Sequence, residues 1–209
     1  MPRPIRQYEP ADERHVAGWV ARHLGMIEHE RRVADIAAAL FDVTRPLHAL
    51  DADAKSLLRL ASFVHDVGRS TDDDDHPRVG AKMLLRDRDL DVSLRTRRHL
   101  AYFTLYHRGR VPAAGEERLL MTSDDRPRLR LILALLRAAD ALDGRQLESP
   151  KLLFALRDRR LEIRLYLEND CPKATRAYGR RKKFKLLEEL LNCAVTIDVR
   201  RSETLRLVA

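Results

Sequence analysis

The stretch FVHDVGRSTDDDDHPRVGAKML, residues Phe63–Leu84, places His65 and Asp66 side by side where an apolar segment ends. Gly68 follows almost at once, and a glycine there is typical of the left-handed position that closes a helix. A structural histidine needs only one partner, whereas a metal ion would use both side chains and would need further ligands from other segments. The stretch therefore predicts a helix end that carries part of a metal site.

The composition is that of a globular protein. Among 209 residues, 44% are hydrophobic and 34% are charged, which is enough to bury a core without disulfides. Cys171 and Cys193 form no CxxC motif, so neither a disulfide framework nor a thiolate zinc site is expected. The N-terminal segment lacks the apolar core of a signal peptide, and no apolar run is long enough to span a bilayer. We therefore expect a cytoplasmic protein with no membrane partner.

The formal net charge of +8 favours polyanionic partners such as polyphosphate, nucleic acid or a phosphorylated small molecule. Arginines scattered along helices explain the same charge equally well as a solvated basic surface. Both interpretations stay open.

Apolar periodicity predicts an all-helical body over residues 1–148. Asp12 is a candidate cap for the first helix, Pro77 suits the first turn of a short one, and Ser123 or Asp124 can cap the long apolar one. The predicted helices cover residues 12–25, 27–44, 52–68, 77–84, 92–107 and 126–143.

The period changes after Pro150. The segment LEIRLYLE, residues 161–168, alternates between apolar and polar positions, as does AVTIDVR, residues 194–200. This alternation is typical of half-buried strands, and KLLFALRD, residues 151–158, is a plausible partner strand. The segment KKFKLLEELLN, residues 182–192, predicts a helix. We therefore expect a small α+β appendage over residues 149–209.

Two further residues could complete a metal site with His65 and Asp66. His29 lies near the start of the second predicted helix, and Asp140 lies late in the long apolar one, where an aspartate is costly to bury unless it is paired or ligating. Each residue alone has an ordinary structural explanation, such as an Asp140–Arg137 ion pair. Together they favour a site for Mn, Fe, Mg, Zn or Ni, since imidazole and carboxylate suit these ions.

The order His29, His65–Asp66, Asp140 resembles the H…HD…D signature of the HD-domain metal-dependent phosphohydrolase superfamily. The segments LGMIEHERRVADIAAALFD, ASFVHDVGRS, YHRGRVP and LLRAADALD are similar to the C-terminal HD-like domain of the exopolyphosphatase/guanosine pentaphosphate phosphohydrolase family. The resemblance implies a mainly α HD-domain helical bundle. It also implies hydrolysis of a phosphoanhydride or phosphoester through metal-activated water, with a nucleotide, an alarmone-type nucleotide or inorganic polyphosphate as substrate.

That family normally carries actin-like catalytic domains before this region, so we expect a stand-alone HD protein. The alternative is a non-catalytic HD-like module that binds polyphosphate or nucleotide for a separately encoded partner. The intact ligand set favours the enzyme, whereas the missing domains and the basic tail favour the binding module. The chain could also form a homodimer.

Two further histidines resemble those that complete a second site in two-metal HD proteins. His76 begins the segment HPRVGAKML and His107 lies in YHRG. A helix cap and a histidine at a helix C-terminus are the ordinary explanations of the two residues. One metal is favoured over two, with Asp66 as a ligand and the potential bridge between two ions.

Cations beside these histidines are candidates for phosphate binding, namely Arg69 and Arg108, whereas Arg110 is expected to be solvated loop charge. The acidic run Asp72–Asp75 is expected to be a solvated loop, with recruitment of a labile cation as the alternative. The sequence identifies no general acid. A basic cluster in the appendage could bind a polyanion, although a solvated helix face is the more common explanation; it comprises Arg176, Arg180, Arg181, Lys182, Lys183 and Lys185.

Overall fold

The computed structural model describes residues 10–113, 115–143, 151–167 and 181–201. It confirms a mainly α fold with a small C-terminal α+β part. The elements in chain order are α1 (Pro10–Leu24), α2 (Glu28–Val43), α3 (Ala52–Val64), α4 (His76–Arg86), α5 (Leu94–Tyr106), α6 (Arg126–Asp143), β1 (Lys151–Arg157), β2 (Arg160–Leu167), α7 (Lys185–Leu191) and β3 (Ala194–Arg201).

Helix α6 lies at the centre of the helical part. Its apolar side chains are buried around most of its circumference, as in a helix enclosed by others. Helices α2 and α3 pack against it, and α2 turns the stripe Val33, Ala37, Leu40 and Phe41 into the core. Burying each large apolar side chain contributes about 1.5–3 kcal/mol. This packing fixes the C-terminal half of α6, which carries Asp140.

Side-chain caps set the starts of several helices. The Asp51 carboxylate accepts a hydrogen bond from the Ala54 N–H at 2.9 Å and begins α3. The Ser93 hydroxyl accepts one from the Thr96 N–H at 3.1 Å and begins α5. The predicted caps of α6 were wrong by one or two residues, because the carboxylate of Asp125 accepts from the Arg128 N–H at 3.1 Å.

Gly68 does not occupy the predicted left-handed position. Helix α3 ends at Val64, and Gly68 lies in a short 3-10 helix, Val67–Ser70, without a positive φ. A glycine is required there by a close approach, because a Cβ would lie 2.2 Å from the His76 carbonyl oxygen and 2.5 Å from the Gly80 nitrogen. The missing side chain lets the segment after α3 pack directly against the start of α4.

The appendage contains a three-stranded sheet in the order β1-β2-β3. Strand β1 pairs antiparallel with β2, and β2 pairs in parallel with β3. Helix α7 lies between β2 and β3 in the chain. Leu161, Ile163 and Leu165 alternate along β2 and are buried, which confirms the predicted strand.

The appendage and the helical part share one apolar core. Leu161 and Ile163 of β2, with Phe184 and Leu187 near α7, belong to the same buried cluster as the residues of α1 to α6. Helix α7 packs on α6, and β1 contacts α2. The division at residues 148 and 149 stays a prediction. None of the helices in the described ranges is both long enough and apolar enough to cross a bilayer.

Candidate metal centre

Four side chains from three helical segments converge inside the helical part. His29 lies in the first turn of α2, His65 and Asp66 lie at the end of α3, and Asp140 comes from α6. His29 Nε2 is 3.3 Å from His65 Nε2, and Asp66 Oδ2 is 3.6 Å from each of these nitrogens. Asp140 Oδ1 lies 3.8 Å from His29 Nε2 and 3.7 Å from His65 Nε2. We call these four residues the first donor set.

A second donor set shares Asp66 with the first. His76 Nε2 lies 3.1 Å from Asp66 Oδ1, and His107 Nε2 lies 3.2 Å from the same oxygen. His76 begins α4 and His107 follows the last residue of α5, so the set joins three segments of the chain. All three side chains are buried. Asp66 therefore directs one carboxylate oxygen toward each pair of histidines.

Backbone carbonyls fix three of the four imidazoles. The Nδ1 atoms of His65, His76 and His107 lie 2.8, 2.7 and 2.7 Å from a carbonyl oxygen three residues earlier in each case. A carbonyl can only accept, so each Nδ1–H donates to it. In the neutral ring the Nε2 atom then carries the lone pair, which is the tautomer that a metal ligand needs.

The two donor sets fit a divalent cation. Donor atoms bound to one ion at about 2.0–2.2 Å lie about 2.8–3.6 Å apart, close to the 3.1–3.8 Å found here. The Nε2 atoms of His76 and His107 are buried and face Asp66 without the alignment of a hydrogen bond. Buried polar atoms normally have partners, so these two nitrogens point to a missing ligand. The buried His/Asp groups could therefore bind a metal.

The carboxylates dominate the electrostatics of the centre. Burial acts to raise the pKa of Asp66, but His65, His107 and His76 outweigh it and hold that pKa far below its usual range. Burial acts to lower the pKa of His65, but Asp66 and Asp140 raise it to about 9. Burial also acts to raise the pKa of Asp140, but the hydrogen bond to His65 and the charges of His65 and Lys183 together outweigh it and lower that pKa. Both carboxylates are therefore anions at neutral pH, as ligands of a cation must be.

A carboxylate that was not among the predicted site residues orients His29. Asp143 Oδ2 lies in close contact with His29 Nδ1. Arg32 holds that carboxylate in turn, donating from Nε to Asp143 Oδ1 at 2.6 Å. The fourth imidazole is thus fixed by a side chain rather than by a carbonyl. Asp143 follows Asp140 by three residues on α6, so both carboxylates lie on one helix face, and that spacing was the signal in the sequence.

Asp140 does not pair with Arg137, the partner considered from the sequence. Arg137 donates instead to the carbonyl of Tyr106 at 2.6 Å and to the carbonyl of Gly109 at 3.0 Å. These two hydrogen bonds hold the turn that carries His107. The partner of Asp140 is Lys183, whose Nζ lies 2.5 Å from Asp140 Oδ2. Lys183 belongs to the appendage, and no sequence pattern connects it with α6.

Arg69 lies against the centre, but its guanidinium group already contacts two carboxylates. Its Nε donates to Asp66 Oδ2 at 3.0 Å, and its Nη1 contacts Asp73. Arg108 and Arg110 are exposed on the turn after His107. Phosphate binding by Arg69 and Arg108 stays a prediction.

The acidic run Asp72–Asp75 forms a largely exposed loop before α4. Asp72 Oδ1 accepts hydrogen bonds from the N–H groups of Asp74 and Asp75, both at 2.9 Å. In the basic cluster, Lys182 is exposed and Lys183 is half-buried. Arg176 and Arg180 lie outside the described residues, as does the side chain of Arg181.

Comparisons with known proteins identify the family. No curated protein matches the chain significantly. A family model described as Ppx/GppA phosphatase, domain III, matches residues 13–186. The match covers the helical part and continues into the appendage as far as α7, and it contains every residue of both donor sets. The chain belongs to the Ppx/GppA phosphatase domain III family.

Proposed function

We propose that the chain is a metal-dependent phosphohydrolase of the HD type. The observation that supports this most is the sharing of Asp66, whose two oxygens face different pairs of buried histidines. The sequence favoured one metal over two, but this geometry favours two cations bridged by Asp66. The substrate is a phosphoanhydride or phosphoester, namely a nucleotide, an alarmone-type nucleotide or inorganic polyphosphate. Membership of a phosphatase family supports that substrate class.

In this proposal His29, His65, Asp66 and Asp140 would hold one cation, and Asp66, His76 and His107 would hold the other. Divalent cations bound there would activate water as a nucleophile and polarise a phosphoryl oxygen. The protein supplies the orientation, because each imidazole is fixed through its Nδ1 atom. Asp66 is anionic and buried, so solvent screens its charge only weakly between the two histidine pairs.

Asp140 is the most exposed member of the first donor set. Side-chain exposure rises from 0% for His65 through 3% for Asp66 and 7% for His29 to 11% for Asp140. The second donor set is closed more tightly, with 1% exposure for His76 and 0% for His107. A phosphorylated substrate would therefore approach the first donor set, while the second stays enclosed.

The proposal is tested on wild type and Asp66→Asn, which removes the charge shared by both donor sets at nearly constant volume. We expect about two Mn²⁺, Fe²⁺ or Zn²⁺ ions per wild-type chain, and more than about 100-fold weaker binding in the variant. Elemental analysis of dialysed protein measures the metal. Phosphate release from a panel of nucleotides and polyphosphate measures turnover, which Asp66→Asn should abolish.

Asp74→Asn is the control, because Asp74 is an exposed acid of the same region and should leave metal content and turnover unchanged. Circular dichroism of all three proteins checks that they are folded. A wild type that stays metal-free and inactive after addition of Mn, Fe, Mg, Zn or Ni would contradict the proposal. Binding of polyphosphate by that inactive protein would favour the non-catalytic module.

A further inference from the structure

Lys183 reaches the metal centre from the appendage. Its Nζ lies 2.5 Å from Asp140 Oδ2. The other oxygen of that carboxylate, Oδ1, is the one that faces His29 and His65. Lys183 therefore lies on the outer side of Asp140, opposite the imidazoles. Its positive charge balances the negative charge of a carboxylate that must stay ionised to serve the first donor set.

The position of Lys183 coincides with the accessible side of the centre. Its side chain is 36% exposed, against 11% for Asp140 and 0% for His65. A ligand that enters from solvent on this side meets the ammonium group before it meets the donors. A positive charge thus lies on the exposed side of the first donor set.

Lys183 also has N–H donors that its contact with Asp140 does not use. An ammonium group has three N–H donors, and among the described residues only Asp140 accepts one from Lys183. The other cations around the centre are more fully occupied. Arg69 serves both Asp66 and Asp73, and Arg32 makes two hydrogen bonds to Asp143.

Packing holds this lysine in place. Lys183 ends a 3-10 turn, Arg181–Lys183, and the next residue, Phe184, is 2% exposed within the main core. Leu187 follows one turn later and is fully buried against the same cluster. The backbone beneath Lys183 is therefore anchored to the helical part, whereas its neighbour Lys182 is exposed.

We propose that Lys183 binds a phosphoryl oxygen of the substrate at the Asp140 side of the metal centre, so that the appendage completes the site. The inference rests on the proposed function. Once a cation neutralises Asp140, the ammonium charge is no longer needed there and can act on an anionic ligand. Lysine is well suited as a compact charge beside phosphate. Lys183 is thus a substrate-contacting residue and not only a link between α6 and the appendage.

The test uses the full chain loaded with Mn²⁺ and inorganic phosphate as the probe. Lys183→Met keeps the apolar stem and removes the charge, and Lys183→Arg restores a cation. We expect Lys183→Met to raise the Kd for phosphate, measured by calorimetry, by about tenfold or more, as for loss of a charge-assisted hydrogen bond. KM for the substrate should rise in parallel, while kcat changes by less than about threefold. Lys183→Arg should recover most of the loss.

Two control variants separate this role from simple loss of charge. Lys55 lies in the first turn of α3, at the opposite end of that helix from His65, and it pairs with Asp42 at 2.6 Å with 33% of its side chain exposed. Lys55→Met therefore removes a similar ion pair that does not involve Asp140. Lys185 lies two residues from Lys183 and is 76% exposed, so Lys185→Met removes a charge from the appendage itself. Neither should change the Kd for phosphate by more than about twofold.

Metal content and the unfolding temperature of each variant separate the outcomes. Unchanged phosphate binding in Lys183→Met would overturn the inference and leave the proposed function intact. Loss of metal or of folding in Lys183→Met, in proportion to its loss of phosphate binding, would also overturn it, since Lys183 would then be structural. A wild type without metal would refute the proposed function first, before any lysine variant is compared.

Discussion

The first donor set is braced partly by side chains, whereas the two histidines of the second are braced by backbone carbonyls. In the first, His29 is oriented by Asp143, which Arg32 holds in turn, and Lys183 contacts the outer oxygen of Asp140. In the second, the Nδ1 atoms of His76 and His107 donate to carbonyls of their own turns. Backbone carbonyls come with the local fold, while the side-chain braces come from distant segments.

This difference predicts how each donor set responds to change. Side-chain braces can be removed by one substitution, and they extend the first donor set over α2, α6 and the appendage. Local carbonyl braces cannot be removed by a substitution, so the second donor set depends mainly on where α4 and α5 sit relative to Asp66. Metal binding to the first set should respond to substitution of the bracing side chains, and metal binding to the second should respond to changes in helix packing.

The two donor sets also differ in completeness. The first offers four candidate ligands and the second offers three, with Asp66 counted in both. More protein ligands give a tighter site, and fewer leave positions open for water or substrate. The first donor set should therefore fill with metal first.

The largest expected effect comes from removing one histidine from either donor set. His76→Ala should leave about one metal ion per chain bound to the first set and abolish the second binding step. His29→Ala should remove the tighter step instead. Equilibrium dialysis with Mn²⁺ over a wide concentration range resolves the two steps, and phosphate release should fall by more than about 100-fold in both variants.

His15→Ala is the control for this pair, because His15 is exposed on α1 and its Nε2 accepts from the Asp91 N–H at 2.9 Å, away from both donor sets. It should bind the same amount of metal as wild type. If His76→Ala and His29→Ala lost both ions to the same extent, the two donor sets would behave as one site and the comparison would be wrong.

A smaller effect is expected from Asp143→Asn, which leaves all ligands in place. Loss of the carboxylate beside His29 should weaken metal binding to the first donor set by about 10–100-fold and leave the second nearly unchanged. Metal competition titrations of the variant measure both affinities.

The chain offers a matched control for Asp143→Asn. Asp124 is equally buried, lies 3.2 Å from His99 Nε2 and accepts from Arg95 at 2.9 Å, so it repeats the His–Asp–Arg arrangement elsewhere in the molecule. Asp124→Asn should lower stability without changing metal affinity. Equal weakening of metal binding by both variants would mean that Asp143 acts through general stability and does not tune His29.

Local patterns revealed much of this arrangement in the sequence. The helices and strands follow from apolar periodicity, and Pro77 lies in the first turn of α4 as expected. The six candidate ligands do lie together in the structure, although metal binding by them stays a prediction. The pairing of Arg69 with Asp66 and Asp73 could also have been predicted from the sequence, since offsets of three and four residues favour such ion pairs.

Contacts between distant segments could not be predicted in the same way. Lys183 lies 43 residues from Asp140, and its place in a basic run indicated only charge. Gly68 was interpreted through the local rule for helix ends, whereas its real constraint is the backbone of α4 eight residues further on. Periodicity reports which face of a helix is buried, but it does not report which neighbour covers that face.

The smallest expected effect on metal binding comes from Gly68→Ala, which tests the dependence of the second donor set on packing. The new Cβ would meet the carbonyl of His76 and the nitrogen of Gly80, both backbone atoms, so the start of α4 must shift. Such overpacking costs about 1–3 kcal/mol. The unfolding temperature should fall by several degrees, and the second binding step should weaken by about threefold to tenfold as His76 moves from Asp66.

Gly18→Ala is the matched control, because a Cβ at Gly18 would meet no atom within 4 Å. That change lies inside α1 and should stabilise the protein by about 0.5–1 kcal/mol, as alanine favours a helix over glycine. Calorimetry and Mn²⁺ dialysis of both variants decide the matter. A Gly68→Ala protein with a wild-type second binding step would show that α4 can shift without moving His76, and the second donor set would then owe its geometry to the carbonyl of Asp73 rather than to packing against Gly68.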